Sequence, residues 1–254
     1  DCVALKTDAS KGAKESMGDI NSVGVIGAGQ MGSGIAHVCA LGGREVKLHD
    51  QNAERLKAAL ADIEKNMARQ VAKGLITEAD AKAALSRIAA TVNLAEIGQA
   101  DLVIEAATEN EEVKKAIFQA LTPSLKATTL LASNTSSISI TRLAASTDRP
   151  DRFIGLHFMN PAPVMKLVEI IRGIATAPAT YETVKVFAES LGKVTTDAED
   201  YPAFIVNRIL VPMINEAIYA LYEGVGDVRS IDNSLKLGAN HPMGPLELGD
   251  FMGL

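Results

Sequence analysis

The chain has 254 residues, 47% of them hydrophobic, and a formal net charge of −6. That length buries a substantial core, in one large domain or two, and the acidic balance argues against nonspecific nucleic-acid binding. No apolar run approaches the roughly 18 residues needed to cross a membrane, so no membrane span is expected.

Residues 1–21 read as an N-terminal tail. They mix Lys6, Lys11 and Lys14 with Asp1, Asp8 and Glu15 and contain no apolar core of a secretory signal. Met17 is a candidate original start. The two cysteines, Cys2 and Cys39, form no C-x-x-C pair, and Cys39 reads as a small core residue. His37, His49, His157 and His241 are scattered without metal-ligand spacing. Neither a metal site nor a structural disulfide is expected.

The stretch 23–50 has the order strand, glycine turn, helix, strand, acid. Gly27, Gly29 and Gly32 stand in the G-x-G-x-x-G register of a dinucleotide-binding turn. In that reading Gly27 makes the tight exit from the strand, Gly29 lets a pyrophosphate approach the backbone, and Gly32 lets the helix pack close to the sheet. The helix N-terminus, opening at Gln30 and Met31, offers N–H groups and a positive dipole end to the phosphates. Val23, Val25 and Ile26 precede the turn; Met31, Ile35, Ala36 and Cys39 follow at helical spacing. Asp50 ends the next strand, 18 residues after Gly32, where an acid meets the ribose 2′-hydroxyl and repels a 2′-phosphate. The expected cofactor is NAD rather than NADP.

A long helix is predicted over 53–71, with Leu56, Leu60, Ile63 and Met67 at helical steps. Lys73-Gly74 breaks it. Thr77 and Asp80 resemble a capping box that opens a second helix running to about residue 87. The pair reads as a helical hairpin inserted between strands. Its Lys57, Lys65, Arg69 and Lys73 form either a solvated face or a cationic arm for a phosphate-bearing ligand.

Alternation of strand and helix then resumes. Strands are predicted at 91–92, 101–107 and 129–133, and a helix over 109–121. The run 101–107 is mostly apolar, as in a strand buried on both faces. Strand 129–133 opens into Asn134-Thr135-Ser136-Ser137, and Ser139 or Thr141 can cap the helix that follows. In a doubly wound sheet, ligands sit beyond the carboxyl ends of the strands, so Glu109, Asn134 and Ser136 belong to that edge.

Strands at 153–158 and 165–171 flank a turn with Pro161 and Pro163. A hairpin centred on Pro163 sets His157 directly opposite Glu169, each six residues from the turn. Glu169 then holds one imidazole nitrogen and raises the basicity of the other. Such a pair alone is commonly structural. Beside an NAD turn it reads as the base that alcohol oxidation by hydride transfer requires.

With these motifs in view, the chain resembles the L-3-hydroxyacyl-CoA dehydrogenase family, and within it most nearly the short bacterial 3-hydroxybutyryl-CoA dehydrogenases. The resemblance runs from about residue 22 to 254. It rests on Gly-Ala-Gly-Gln-Met-Gly at 27–32, Ile-Glu-Ala-Ala-Thr-Glu-Asn at 104–110 and Ser-Asn-Thr-Ser-Ser at 133–137. It continues with His-Phe-Met-Asn-Pro-Ala-Pro-Val-Met at 157–165, Phe-Ile-Val-Asn-Arg at 204–208 and His-Pro-Met-Gly-Pro at 241–245. The resemblance implies that His157 is the general base and Glu169 its orienting partner. It implies that Ser136, Asn160 and Asn207 position the substrate and the reacting oxygen. Asp50 matches the ribose acid, and Glu109, Lys114 and Asn134 match residues lining the cofactor site. The family's helical arm contacts CoA, and Lys73 falls where a CoA-contacting lysine is expected. The implied reaction is reversible oxidation of a short-chain L-3-hydroxyacyl-CoA to the 3-ketoacyl-CoA, as in fatty-acid β-oxidation, in the cytoplasm.

A helix is predicted from Pro202 to about 223, with Pro212 kinking it, and another over 227–237, closed by Gly238. The expected organisation is therefore a Rossmann-type, doubly wound α/β domain over 22–200, with a mostly parallel sheet and a helical hairpin insertion. An all-α C-terminal domain, apparently truncated, follows over 201–254. A homodimer is expected if that domain is complete. Two other readings compete. Tyr181 and Lys185 match the Y-x-x-x-K of short-chain dehydrogenases, but more simply Tyr181 opens a surface helix with Val184 and Phe187 buried. A non-catalytic NAD-binding protein would keep the glycine turn and Asp50 without needing the His157–Glu169 pair, and another NAD-dependent hydroxy-acid dehydrogenase is the further alternative.

Overall fold

The computed structural model describes residues 18–253. The expectations for the first 17 residues, Cys2 and Met17 included, lie outside them. Packing reaches further toward the N-terminus than the expected tail allows. Ile20 is buried in the core, and the Asn21 N–H donates to Asp101 Oδ2 at 3.0 Å.

The described chain divides after Asp200 into two units. The first is built on one eight-stranded sheet. Its strands are β1 (Ser22–Ile26), β2 (Glu45–His49), β3 (Ile88–Thr91), β4 (Leu102–Glu105), β5 (Leu130–Ser133), β6 (Phe153–Phe158), β7 (Leu167–Arg172) and β8 (Val194–Glu199). The spatial order is β3-β2-β1-β4-β5-β6-β7-β8, and every neighbouring pair is parallel except β6 and β7. The chain leaves β1 toward β2 and β3, then returns to place β4 on the other side of β1. The strand order thus reverses between β1 and β4, where such sheets open a crevice at their carboxyl ends. β4, β5 and β6 are buried at every residue, which accounts for their unbroken apolar runs.

Helices α1 (Gln30–Leu41), α2 (Ala53–Ala72), α3 (Glu78–Ser86), α4 (Glu111–Leu121), α5 (Ile140–Ala144) and α6 (Pro178–Ser190) complete this unit. The buried stripe of α2 is Leu56, Ala59, Ile63 and Met67, so Ala59 takes the place expected of Leu60. Asn52 caps α2 by accepting from the Glu54 and Arg55 N–H groups. The Thr77–Asp80 capping box at α3 is complete, with both reciprocal hydrogen bonds formed.

Several boundaries differ from expectation. The third strand is Ile88–Thr91 rather than 91–92, because pairing with β2 sets Ile88 beside Val46 and Thr91 beside His49. Helix α4 opens at Glu111, because the Asn110 side chain caps it by accepting from the Val113 N–H at 3.1 Å. Glu109 is thereby left in the turn. Strand β8 is not legible beforehand: it is an edge strand buried only at Ala198, so it carries little apolar signal.

The second unit holds α7 (Val206–Tyr222), α8 (Val228–Asn233), a π-helical turn (Ser234–Gly238) and α9 (Pro245–Met252). Helix α7 does not begin at Pro202. Ala203 and Phe204 hold φ of 67° and 53°, a left-handed conformation incompatible with a right-handed helix. The expected single helix over 227–237 splits into α8 and the π-helical turn, and α9 is an addition. Pro212 lies inside α7. Among the described residues no helix is long and apolar enough to cross a membrane, and no group of three or more His, Cys, Asp or Glu is arranged to hold a metal ion. Cys39 is fully buried and unpaired, and burial pushes its thiol up to about 12.

Candidate active site

The glycine turn joins β1 to α1. Gly27 takes φ of +103°, and its N–H donates to the His49 carbonyl at 2.8 Å, tying the exit of β1 to the end of β2. A Cβ on Gly32 would fall 1.7 Å from the Gly27 carbonyl oxygen, so helix and turn approach too closely for any other residue. Gly29 is the opposite case. It is exposed, and a Cβ there would meet nothing within 4 Å. No side chain caps α1, and its first turn carries no acid. The result is an open cradle of backbone N–H groups at a helix N-terminus, which suits a pyrophosphate. Exposed Gln30 and half-buried Met31 border it.

Asp50 follows β2 directly and leans onto this turn. Its Oδ2 accepts from the Ala28 N–H at 3.0 Å and its Oδ1 from the Asn52 N–H at 2.9 Å. These bonds hold a half-buried carboxylate beside the cradle, at the distance along the chain that a ribose acid needs. The residues present therefore fit a dinucleotide.

Across the strand-order reversal lies a second cluster. Glu109 Oε1 accepts from the Thr135 hydroxyl at 2.6 Å, the Ser136 N–H at 2.9 Å and hydroxyl at 3.2 Å, and the Ser137 N–H at 3.1 Å and hydroxyl at 3.0 Å. Burial works against its charge, but these donors and the Lys114 ammonium outweigh it and hold its carboxyl below the usual carboxylate range. One carboxylate thus shapes the whole 135–137 turn. Beneath it, Lys114 is buried, with Nζ 2.8 Å from both oxygens of Glu105 and 3.7 Å from Glu109 Oε2. Lys114 faces the crevice through Glu109 rather than standing open at its wall.

Glu105 went unnoticed in the sequence. It is fully buried and also accepts from the Ala107 N–H and the Ser133 hydroxyl. The available signal was an acid closing the otherwise apolar run of β4, a placement too costly to keep without partners.

The 134–137 turn is joined to the hairpin as well. Asn134 Oδ1 accepts from the Phe158 N–H at 2.8 Å, next to His157. The β6–β7 register pairs His157 with Glu169, as the spacing about Pro163 predicts. His157 Nδ1 lies 2.7 Å from Glu169 Oε2; the histidine is 6% exposed and the glutamate 0%. An ionised carboxylate only accepts, so Nδ1 carries the hydrogen and Nε2 is the nitrogen suited to exchange a proton.

The first unit thus brings His157, Glu169, Asn134, Ser136, Glu109 and Lys114 into one linked network at the carboxyl edge of β4, β5 and β6. Asn160 is exposed in the turn that follows β6, and Lys73 is exposed at the end of α2, where its N–H donates to the Arg69 carbonyl. Asn207 is half-buried in the first turn of α7, in the second unit. Tyr181 and Lys185 are neighbours on α6, yet the tyrosine hydroxyl donates to Asp197 of β8 at 2.7 Å. Val184 and Phe187 of the same helix are buried.

Comparison with known proteins agrees with this geometry. Residues 22–201 match the family model for the 3-hydroxyacyl-CoA dehydrogenase NAD-binding domain, and residues 204–254 that for the 3-hydroxyacyl-CoA dehydrogenase C-terminal domain. A 3-hydroxybutyryl-CoA dehydrogenase of Bradyrhizobium diazoefficiens is 63% identical over 235 residues, covering 92% of this chain and 80% of the relative. The human mitochondrial hydroxyacyl-coenzyme A dehydrogenase is 44% identical over 260 residues, covering 99% of this chain and 82% of the relative. The crystal structure of an (S)-3-hydroxybutyryl-CoA dehydrogenase from Ralstonia eutropha superposes with a TM-score of 0.90 at 45% identity, covering 92% of this chain and 83% of that one. With both family models matched along nearly its whole length, the chain belongs to the NAD-dependent 3-hydroxyacyl-CoA dehydrogenases.

Proposed function

We propose that this enzyme interconverts short-chain L-3-hydroxyacyl-CoA and 3-ketoacyl-CoA, with 3-hydroxybutyryl-CoA and acetoacetyl-CoA as the preferred pair. The observation that carries the reading is the buried 2.7 Å contact between His157 Nδ1 and Glu169 Oε2 at the sheet edge that also bears the dinucleotide cradle. Relatives named 3-hydroxybutyryl-CoA dehydrogenases support the chain length.

In the oxidative direction His157 takes the 3-hydroxyl proton at Nε2 as the C3 hydrogen departs with its electron pair. Glu169 offsets the positive charge that then develops on the imidazole and keeps the ring in the correct tautomer. In reverse, protonated His157 returns the proton to the 3-keto oxygen. Ser136 and Asn207 hydrogen-bond that oxygen and favour its developing negative charge. Asn160 helps to position the substrate, and Lys73 on the helical arm meets the CoA portion. Gly27, Gly29, Gln30, Met31 and Gly32 hold the cofactor's pyrophosphate and Asp50 the ribose hydroxyls, while Glu109, Lys114 and Asn134 line the cofactor site. Bound NAD would supply the hydride acceptor, and NADH the donor in reverse.

In this reading the enzyme acts in the cytoplasm, and as a homodimer where the C-terminal domain is complete. The dimer is supported by apolar side chains exposed on the second unit, among them Ile209, Tyr222 and Val225. Sedimentation equilibrium tests it, and a monomer at micromolar concentration would overturn it. The test of the reaction is acetoacetyl-CoA-dependent oxidation of NADH, with NADPH in parallel. Turnover with NADH alone supports both the reaction and the role of Asp50. NADH binding without turnover would overturn the reaction.

A further inference from the structure

The β6–β7 turn carries Asn160 and closes the hairpin that holds His157 and Glu169, yet its own internal bonding is slight. The Val164 and Met165 N–H groups both donate to the Pro161 carbonyl at 3.0 Å. Two outside contacts hold it. Lys193, which precedes β8, points its ammonium into the turn and donates to the Ala162 carbonyl at 2.6 Å and the Met165 carbonyl at 2.8 Å. Gly34 of α1 also lies against it: a Cβ there would stand 3.2 Å from Ala162 Cβ and 3.3 Å from Pro163 Cδ.

Helix α1 is the helix whose N-terminus forms the dinucleotide cradle. The turn therefore touches both the cofactor helix and the Lys193 ammonium, whose charge also reaches His37 and Cys39 of that helix. That ammonium is partly withdrawn from water, and burial lowers its pKa. A lysine gives up hydration for two main-chain carbonyls only where the carbonyls are otherwise short of donors. The two oxygens lie on either side of the exposed tip at Val164, so one cation spans the turn.

We propose that Lys193 is a positioning residue for the acyl-CoA substrate: by bridging the Ala162 and Met165 carbonyls it fixes the β6–β7 turn and holds Asn160 where it meets the substrate. The inference rests on the substrate contact assigned above to Asn160. It makes the fit of the substrate depend on a residue that never touches it, and it separates the two substrates. The glycine cradle and Asp50 have their own bonds and do not rely on Lys193.

The experiment is steady-state kinetics of acetoacetyl-CoA reduction by the unaltered enzyme and by the Lys193→Met, Lys193→Arg and Gly34→Ala variants. Lys193→Met should raise KM for acetoacetyl-CoA about tenfold while kcat and KM for NADH stay within about twofold. Lys193→Arg, which keeps a cation able to donate to two carbonyls, should recover most of that loss. Gly34→Ala crowds the turn at Ala162 and Pro163 and should raise the same KM, which keeps the inference testable if Lys193→Met folds poorly. Amide hydrogen exchange at Val164 and Met165 should be faster by about tenfold in Lys193→Met, with exchange in β1 and β4 unchanged. A purely structural lysine would lower the melting temperature and leave both KM values and the exchange contrast unmoved, and that result overturns the inference. Turnover by the unaltered enzyme with unshifted variants overturns this inference alone; no turnover by the unaltered enzyme overturns the functional reading and this inference with it.

Discussion

The β6–β7 hairpin and the 134–137 turn each place a polar group at the same sheet edge, and they do so by opposite means. In the hairpin, the sheet does the work. His157 and Glu169 face each other because antiparallel pairing sets them opposite, and both are buried. In the turn, a single carboxylate does the work. Glu109 gathers five donor contacts from Thr135, Ser136 and Ser137, while its side chain remains 40% exposed. Geometry set by register withstands the loss of a side chain. Geometry set by a charge lasts only while the charge does.

The sharpest test of that contrast is His157→Gln. It should lower kcat by about 10⁴-fold with KM for NADH unchanged, since the hairpin backbone stays paired and only the proton acceptor is lost. Retained turnover would remove the proposed base. Glu169→Gln should cost about 10²-fold in kcat, because the register still presents the ring but an amide no longer offsets the imidazolium. Circular dichroism should show the fold of both variants intact.

Glu109→Gln should act differently, loosening the turn itself. An amide oxygen cannot serve so many donors, so kcat should fall about tenfold and KM for NADH should rise with it. The pH dependence carries the distinction further. The folded-state pKa of Glu109 is depressed, so its contribution to stability is fully present above the ordinary carboxylate range, near pH 4.3, and is lost as pH falls through its lower folded value. The melting temperature of the unaltered enzyme should therefore exceed that of Glu109→Gln at pH 7, and the gap should close below about pH 4. A gap that persists in acid would show that packing, not charge, holds the turn. Last and smallest, Tyr181→Phe lies outside both regions and should leave kcat and both KM values within about twofold; near-complete loss would revive a tyrosine–lysine mechanism.

The two regions also differ in how far they can be read from sequence. The His157–Glu169 pairing follows from counting residues about Pro163, because side chains in paired strands are fixed by register alone. The β1–α1–β2 unit is equally legible, since Gly27 and Gly32 have steric reasons at their places and Gly29 leaves the cradle open. The Glu109 cluster is legible only as a position at the sheet edge. Its function as a hub depends on Asn110, a favoured N-cap, closing α4 and leaving Glu109 in the turn, where nothing in the sequence shows which donors it will gather. Glu105 and Lys114 belong to the same blind spot: nine residues separate them, and nothing in that spacing announces a buried ion pair. The helical second unit was readable in outline, but its start was not. Proline at 202 signals a first helical turn, whereas Ala203 and Phe204 take a left-handed path that neither residue type favours.

The reversal of β7 has a consequence for how the chain holds the proposed proton-transfer pair. His157 and Glu169 are twelve residues apart and closed into one small loop. The conformational entropy lost in bringing them together is that of a short segment, and it is met within the hairpin by main-chain bonds on either side. No distant helix has to arrive for the pair to exist. Assembly of the His157–Glu169 pair therefore does not depend on the glycine turn after β1 or on α2 and α3, and under the proposed mechanism the proton acceptor is aligned before either ligand arrives.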